Sequence, residues 1–326
     1  MGALNTDLST AANRYAMMVG IREVEERIGA LFRAGATSGT AHLCVGQEAC
    51  AVGAVAAAEA TDPIVSSHRG HGHYLARTGD AAGLLGELMG KTTGPCRGRG
   101  GSQHLCNVAR AFYGTNGITG GGLPVATGLA LSRRLQDRKE VVLCFFGDGA
   151  ANQGTFHESL NMASIWGLPI LYFCENNHYA MSTRVEDNMR AASIASRAAA
   201  YGMPGEYING MDVDAVRMAT RAALKAIRGG GGPMLIEADC YRFSGHSKSD
   251  RFVYRTREEE ELWRDRDPLP TSRRRLIEGG MSEADVAAIE AGVKAAINGA
   301  YKAACDAPAP TREEVLTSPY AGGERP

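Results

Sequence analysis

Residues 141–183 read VVLCFFGDGAANQGTFHESLNMASIWGLPILYFCENNHYAMST, and this stretch decides the fold. It opens on six apolar residues, β-branched and aromatic among them, stopped by glycine, which is how a buried strand reads. Gly147-Asp148-Gly149 closes that strand. A helix is predicted over 155–166, and PILYFC (169–174) is a second buried strand that runs into Glu175-Asn176-Asn177. Strand, helix and strand in so short a stretch make a β-α-β unit, whose two strands lie parallel because the crossover returns the chain to the same end of the sheet.

Outward from this unit the alternation continues. Met18, Ile21, Val24, Ile28 and Leu31 recur at helical spacing, so residues 15–32 are predicted as an amphipathic helix. A second helix is expected over 48–59, ended by Asp62-Pro63 before a short strand in IVSS (64–67) and a turn in HRGHGH (68–73). Another helix at 215–227 and a strand in PMLIEADCYR (233–242) complete the pattern. The fold class is α/β, a mainly parallel sheet flanked by helices, with ligands expected at the carboxyl ends of the strands. After Asp267-Pro268 the chain turns to charged helix, giving one domain over 1–267 and a C-terminal helical extension and tail over 268–326. Residues 92–122 are crowded with glycine; they are expected to be irregular and to wrap a ligand or an interface.

Composition excludes several functions. With 35 Lys and Arg against 36 Asp and Glu, the chain has no global field for nucleic acid or an anionic membrane, so any anion site must be local. No apolar run reaches the roughly 18–20 residues of a spanning helix, and a soluble, cytoplasmic protein is expected. The eight cysteines are scattered, several inside apolar runs, and read as buried thiols. Cys96, His104 and Cys106 could be drawn as a zinc site, but no CxxC pair supports it.

The chemistry gathers at the two strand ends. A carboxylate between glycines and a pair of amides, brought side by side in one sheet, suit a hard cation bound to a phosphate. Asp148 offers a charged oxygen, Asn177 a neutral one, and a carbonyl from the following turn a third. The backbone of Gly147, Gly149 and Ala150 can approach an anion closely. Asp148 is expected at a solvent-facing strand end. Each part alone also reads as an ordinary turn; the pair is what carries information. A nicotinamide fold is disfavoured, since no strand leads directly into G-x-G-x-x-G with an acidic residue at the next strand end.

GDG followed by NN resembles the signature of thiamine-diphosphate enzymes. The whole stretch, with HLCVGQEACAVG (42–53), GHSKSD (245–250) and YRTREEEELW (254–263), is similar to the alpha subunits of 2-oxo acid and acetoin dehydrogenases. The resemblance implies a thiamin-diphosphate-binding fold of the diphosphate-binding type. It implies that Asp148 and Asn177 bind Mg²⁺ through their side chains and Tyr179 through its carbonyl. It assigns Arg69, Arg190 and His246 to the diphosphate, His246 also to catalysis, and the backbone of Gly117 and Thr119 to the aminopyrimidine edge. It implies a beta subunit in an α₂β₂ assembly, which supplies the glutamate that activates the cofactor, and the lipoyl domain of a dihydrolipoyl acyltransferase as acyl acceptor. His68 stands where pyruvate-type relatives usually have tyrosine, and Asn209 where aspartate is usual, so the small-molecule substrate, acetoin or a 2-oxo acid, stays open.

Two other functions fit part of the pattern. One keeps the cofactor but moves an acyl or two-carbon unit to another acceptor without a lipoyl partner. The other, a non-catalytic scaffold, gives no reason to keep GDG, ENN and His246 together.

Overall fold

The computed structural model describes residues 3–37, 39–247, 250 and 253–316. Six strands form one sheet: β1 (Ile64–Val65), β2 (Phe112–Gly114), β3 (Val142–Gly147), β4 (Ile170–Asn176), β7 (Gly205–Asn209) and β8 (Met234–Asp239). Their order is β2-β1-β3-β4-β8-β7, and every neighbouring pair is parallel. A small antiparallel pair, β5 (Tyr179–Ala180) and β6 (Thr183–Arg184), follows β4. The helices before β3 are α1 (Ala11–Arg33), α2 (Glu48–Ala57), α3 (His71–Thr78), α4 (Ala81–Leu88) and α5 (Gly122–Leu135). After it come α6 (Gly154–Ile165), the short α7 (Val185–Asn188), α8 (Val213–Ala226), α9 (Arg257–Arg264), α10 (Pro268–Glu278), α11 (Glu283–Asp306) and α12 (Arg312–Leu316).

Because strand side chains alternate between faces, each strand feeds two cores. Val142, Cys144 and Phe146 pack with Leu123, Phe156 and Leu160 beneath α5 and α6. Leu143 and Phe145 turn the other way, into the larger core with α1, α2 and α8. That core also takes Val286, Val293 and Ile297 of α11, so the C-terminal helices share it.

Several boundaries differ from expectation for identifiable reasons. The opening helix begins at Ala11 because Thr10 caps it, its hydroxyl accepting the Asn13 N–H at 3.1 Å, a feature that apolar periodicity does not show. The strand in IVSS is only two residues long, and the second half of HRGHGH is the first turn of α3 instead of a loop. Strands β2 and β7 and helix α5 were not anticipated: β2 lies inside the glycine-rich stretch, and β7 is an edge strand with mostly exposed side chains. Among the described residues no helix is long and apolar enough to cross a membrane. Cys96 Sγ contacts the His104 carbonyl at 3.1 Å, and no group of three or more His, Cys, Asp or Glu in the described residues could hold a metal, so the zinc drawing has no counterpart.

From β1 the chain moves outward to β2, then returns across β1 to β3 and continues to β4 on the other side. The carboxyl ends of β1 and β3 therefore splay apart at a topological switch point, where open α/β sheets form their ligand crevice.

Candidate functional site

A cavity of about 360 Å³ opens at this switch point. Its floor is made by the ends of β3 and β4, whose ladder pairs each residue from Val142 with Ile170 to Gly147 with Glu175. That register sets Asp148 beside Asn176 and Asn177. Gly149 lies so close to the β5 hairpin that a Cβ there would meet the Ala180 Cβ at 2.8 Å.

Asp148 corrects one expectation: it is 3 % exposed, so it is not at a solvent-facing end. The hairpin after β4 covers it, a long-range contact with no local sequence signal. One carboxylate oxygen, Oδ2, has no hydrogen-bond partner among the described residues. Burial raises its pKa above the ordinary carboxylate value, against the pull of neighbouring backbone N–H groups and of His178. Buried carboxylates normally find donors or cations, so this oxygen marks a place prepared for a positive ligand.

Two cations face the same cavity. Arg69, at the end of the loop after β1, is buried and donates to the carbonyls of Leu43 (2.5 Å) and His246 (3.3 Å). Arg242, fully buried, donates to the carbonyls of Ser244 (3.1 Å) and Met181 (3.2 Å) and to the Tyr254 hydroxyl (2.9 Å). Burial, with the Arg69 charge beside it, lowers the Arg242 pKa to about 9, and burial lowers that of Arg69. Among the described residues neither guanidinium forms a direct ion pair: carbonyls, the Tyr254 hydroxyl and His246 Nδ1 (3.3 Å from Arg242) hold them, and carboxylates such as Asp148 balance their charge only from a distance.

Three imidazoles complete the mouth. The ring of His42 lies edge-on to His68 at 4.7 Å and to His246 at 4.8 Å. Burial, reinforced by the Arg69 charge, pushes their pKa values down to about 3 for His42, about 2 for His68 and about 4 for His246. All three are therefore neutral near pH 7 in the free chain, each with one donor and one acceptor nitrogen.

The structure brings Arg69, Gly117, Thr119, Gly147, Asp148, Gly149, Ala150, Asn177, Tyr179 and His246 together around this cavity. It does not bring Arg190, which is exposed in the loop after α7 and off the cavity wall. Sequence reasoning missed Arg242, His42 and Gln103, all of which line it. A lone arginine between Tyr241 and Phe243, at the end of an apolar strand, was the available sign of a buried charge with a purpose.

Residues 16–313 match the family model described as Dehydrogenase E1 component. The chain is 42 % identical over 315 residues to the alpha subunit of the acetoin:2,6-dichlorophenolindophenol oxidoreductase of Bacillus subtilis (strain 168), covering 95 % of this chain and 93 % of that one. It is 41 % identical over 272 residues to the pyruvate dehydrogenase E1 component subunit alpha of Rhizobium meliloti (strain 1021), covering 83 % and 78 %. The corresponding subunit of Rickettsia bellii (strain RML369-C) is 36 % identical over 304 residues, 93 % of each chain.

Proposed function

The chain belongs to the dehydrogenase E1 component family, and from that premise we propose that it is the alpha subunit of a thiamine-diphosphate-dependent dehydrogenase component. It cleaves acetoin or a pyruvate-like 2-oxo acid and passes the acyl unit to the lipoyl domain of a dihydrolipoyl acyltransferase. One observation carries this reading: a carboxylate oxygen on Asp148 that has no hydrogen-bond partner among the described residues shares a cavity with two buried guanidinium groups, Arg69 and Arg242, that form no direct ion pair there. A Mg²⁺–diphosphate pair has the complementary charges in the complementary order.

The residues fit that group. Mg²⁺ takes hard oxygens, few of them from the protein, and completes its shell with phosphate and water. Asp148, Asn177 and the carbonyl of Tyr179 would hold the metal. The backbone of Gly147, Gly149 and Ala150 would lie along the phosphates, which Arg69, Arg242 and His246 would bind by charge-assisted hydrogen bonds. Arg190 would reach the anion only by an inward movement of its loop. When bound, thiamine diphosphate supplies an electron sink for breaking a carbon–carbon bond beside a carbonyl.

The chain's own residues bind, orient and exclude water. Gly117 and Thr119 would present main-chain groups to the aminopyrimidine edge, and the neutral His246 can hold or give a proton at the cavity mouth. In this reading residues 1–267 are the cofactor-binding unit and 268–326 its helical extension. A beta subunit closes the aminopyrimidine end in an α₂β₂ assembly, with a cytoplasmic location. The test is to assay the alpha–beta pair with acetoin, pyruvate and branched 2-oxo acids, using an artificial electron acceptor. Turnover on one of these classes is expected, and turnover on none overturns the reading.

A further inference from the structure

Behind one wall of the cavity lies a buried carboxylate that the reading above does not use. Residues 90–101 contain five glycines, and Gly98 and Gly101 adopt positive φ of 76° and 61°, so this segment cannot satisfy its own backbone as a helix or strand would. Glu87, in the last turn of α4 and 1 % exposed, does it instead. Its Oε2 accepts the N–H groups of Cys96 and Gly98, each at 2.9 Å, and its Oε1 those of Gly100 at 2.7 Å and Gly101 at 3.1 Å. The fit is tight: a Cβ on Gly94 would stand 2.2 Å from Glu87 Oε2.

The segment runs straight into the turn Gly101–Gln103. There Ser102 Oγ meets His71 Nε2 at 2.9 Å, and His71 Nδ1 meets Glu25 Oε1 at 2.6 Å. Gln103, next in line, reaches into the cavity, where its side-chain nitrogen lies 2.9 Å from His42 Nδ1. An amide NH₂ can only donate, so Nδ1 accepts, and the neutral imidazole keeps its proton on Nε2. We propose that Glu87 is a positioning residue: by gathering the backbone of 96–101 it seats Gln103 against His42 and thereby selects the His42 tautomer protonated on Nε2.

The chemistry asks for a carboxylate. Its two oxygens offer about four lone-pair sites, which match the four N–H groups. A glutamine has one acceptor oxygen and would turn an NH₂ group toward the other two donors. Only the consequence for turnover rests on the function proposed above; the effect on the tautomer does not.

The experiment combines two readouts on Glu87→Gln. Histidine-selective ¹⁵N labelling of the purified chain, with the His42 signal assigned through His42→Gln, reports the tautomer. The wild type is expected to show Nε2–H alone, and both Glu87→Gln and Gln103→Ala a mixture. In the alpha–beta pair, Glu87→Gln is expected to lower kcat about tenfold with little change in KM, yet cost less than about twofold in a Gln103→Ala background, because coupled positions do not add. An unchanged His42 tautomer in Glu87→Gln, or losses that multiply in the double variant, overturns the proposal. If Glu87→Gln does not fold, Gly101→Ala takes its place: the added Cβ meets no neighbour but strains the φ of 61°, so the same pattern is expected. An inactive wild-type pair would refute the function proposed above, while the tautomer comparison would still decide the role of Glu87.

Discussion

The floor and the glycine-rich wall of the cavity are ordered by opposite means. The floor hangs on a continuous parallel ladder, and Asp148 and Asn177 each follow directly on the last residue of a strand in it, so the sheet sets where they stand. The wall, residues 90–122, has one three-residue strand, two short 3₁₀ turns and left-handed backbone at Arg97 and Ala111 as well as at glycines. It is held from outside, by Glu87 and by the C-terminal chain, where Thr92 N–H donates to the Pro308 carbonyl at 3.1 Å and Lys91 Nζ to the Ala307 carbonyl at 2.8 Å. A rigid floor can keep an unpartnered charge waiting for its ligand. A wall fastened by side chains can be shifted one anchor at a time.

The largest expected effect is therefore on the floor. Asp148→Asn should weaken metal-dependent binding of thiamine diphosphate at least about 100-fold, since it removes the only charged oxygen proposed for the metal. The same change should stabilise the free chain. Burial raises the folded-state pKa of Asp148, so its carboxylate lowers stability as pH rises past 3.8 and through the raised value, and the loss persists at neutral pH. Calorimetric melting of the ligand-free protein at pH 7 should show a higher Tm for the variant. An unchanged or lower Tm would mean that the floor is not held under electrostatic strain.

Arg242→Met comes next. Loss of charge-assisted hydrogen bonds worth about 1.5–3 kcal/mol should cost roughly 10–100-fold in diphosphate affinity, read by titration calorimetry. A loss confined to stability would place Arg242 with the scaffold.

The imidazoles at the mouth, one of them held by the wall through Gln103, add a pH signature. Their folded pKa values of about 3, 2 and 4 lie below the unfolded value of 6.5, so the unfolded chain binds more protons between. Stability is then complete above pH 6.5 and falls as pH drops, by about 1.4 kcal/mol per pH unit for each proton involved. Urea unfolding at pH 6.5 and 5 measures the slope, and His68→Gln should lessen it by one proton's share.

At the outer edge of the wall the effect should nearly vanish. Arg97 and Glu314 form an exposed ion pair at 2.8 Å, and Arg97→Ala should leave the urea midpoint of unfolding almost unchanged. A larger loss would show that the C-terminal chain fastens the wall more strongly than its surface contacts suggest.

The same contrast explains what could be read in advance. The floor was legible because its determinants are local: an apolar run, a glycine stop, a helix, a second run. Its two unexpected features are non-local. Asp148 is buried by a hairpin that begins some thirty residues later, and Arg242 joins the site only because β8 lies beside β4. The wall was recognised as irregular and no further, since its order depends on Glu87, which shares no periodicity with the loop it holds. Arg190 was assigned by resemblance alone, and in the structure it lies exposed off the cavity wall.

In the proposed reading this chain holds the diphosphate end of a site completed by another chain. The direct measurement is titration of the purified chain, verified free of any beta subunit, with thiamine diphosphate and Mg²⁺, followed by a turnover assay with acetoin and a 2-oxo acid before and after the beta subunit is added. Weak binding and no turnover are predicted for the chain alone, with affinity and activity restored together by the partner. Turnover at ordinary enzymatic rates without the partner would rule out a site shared between two chains.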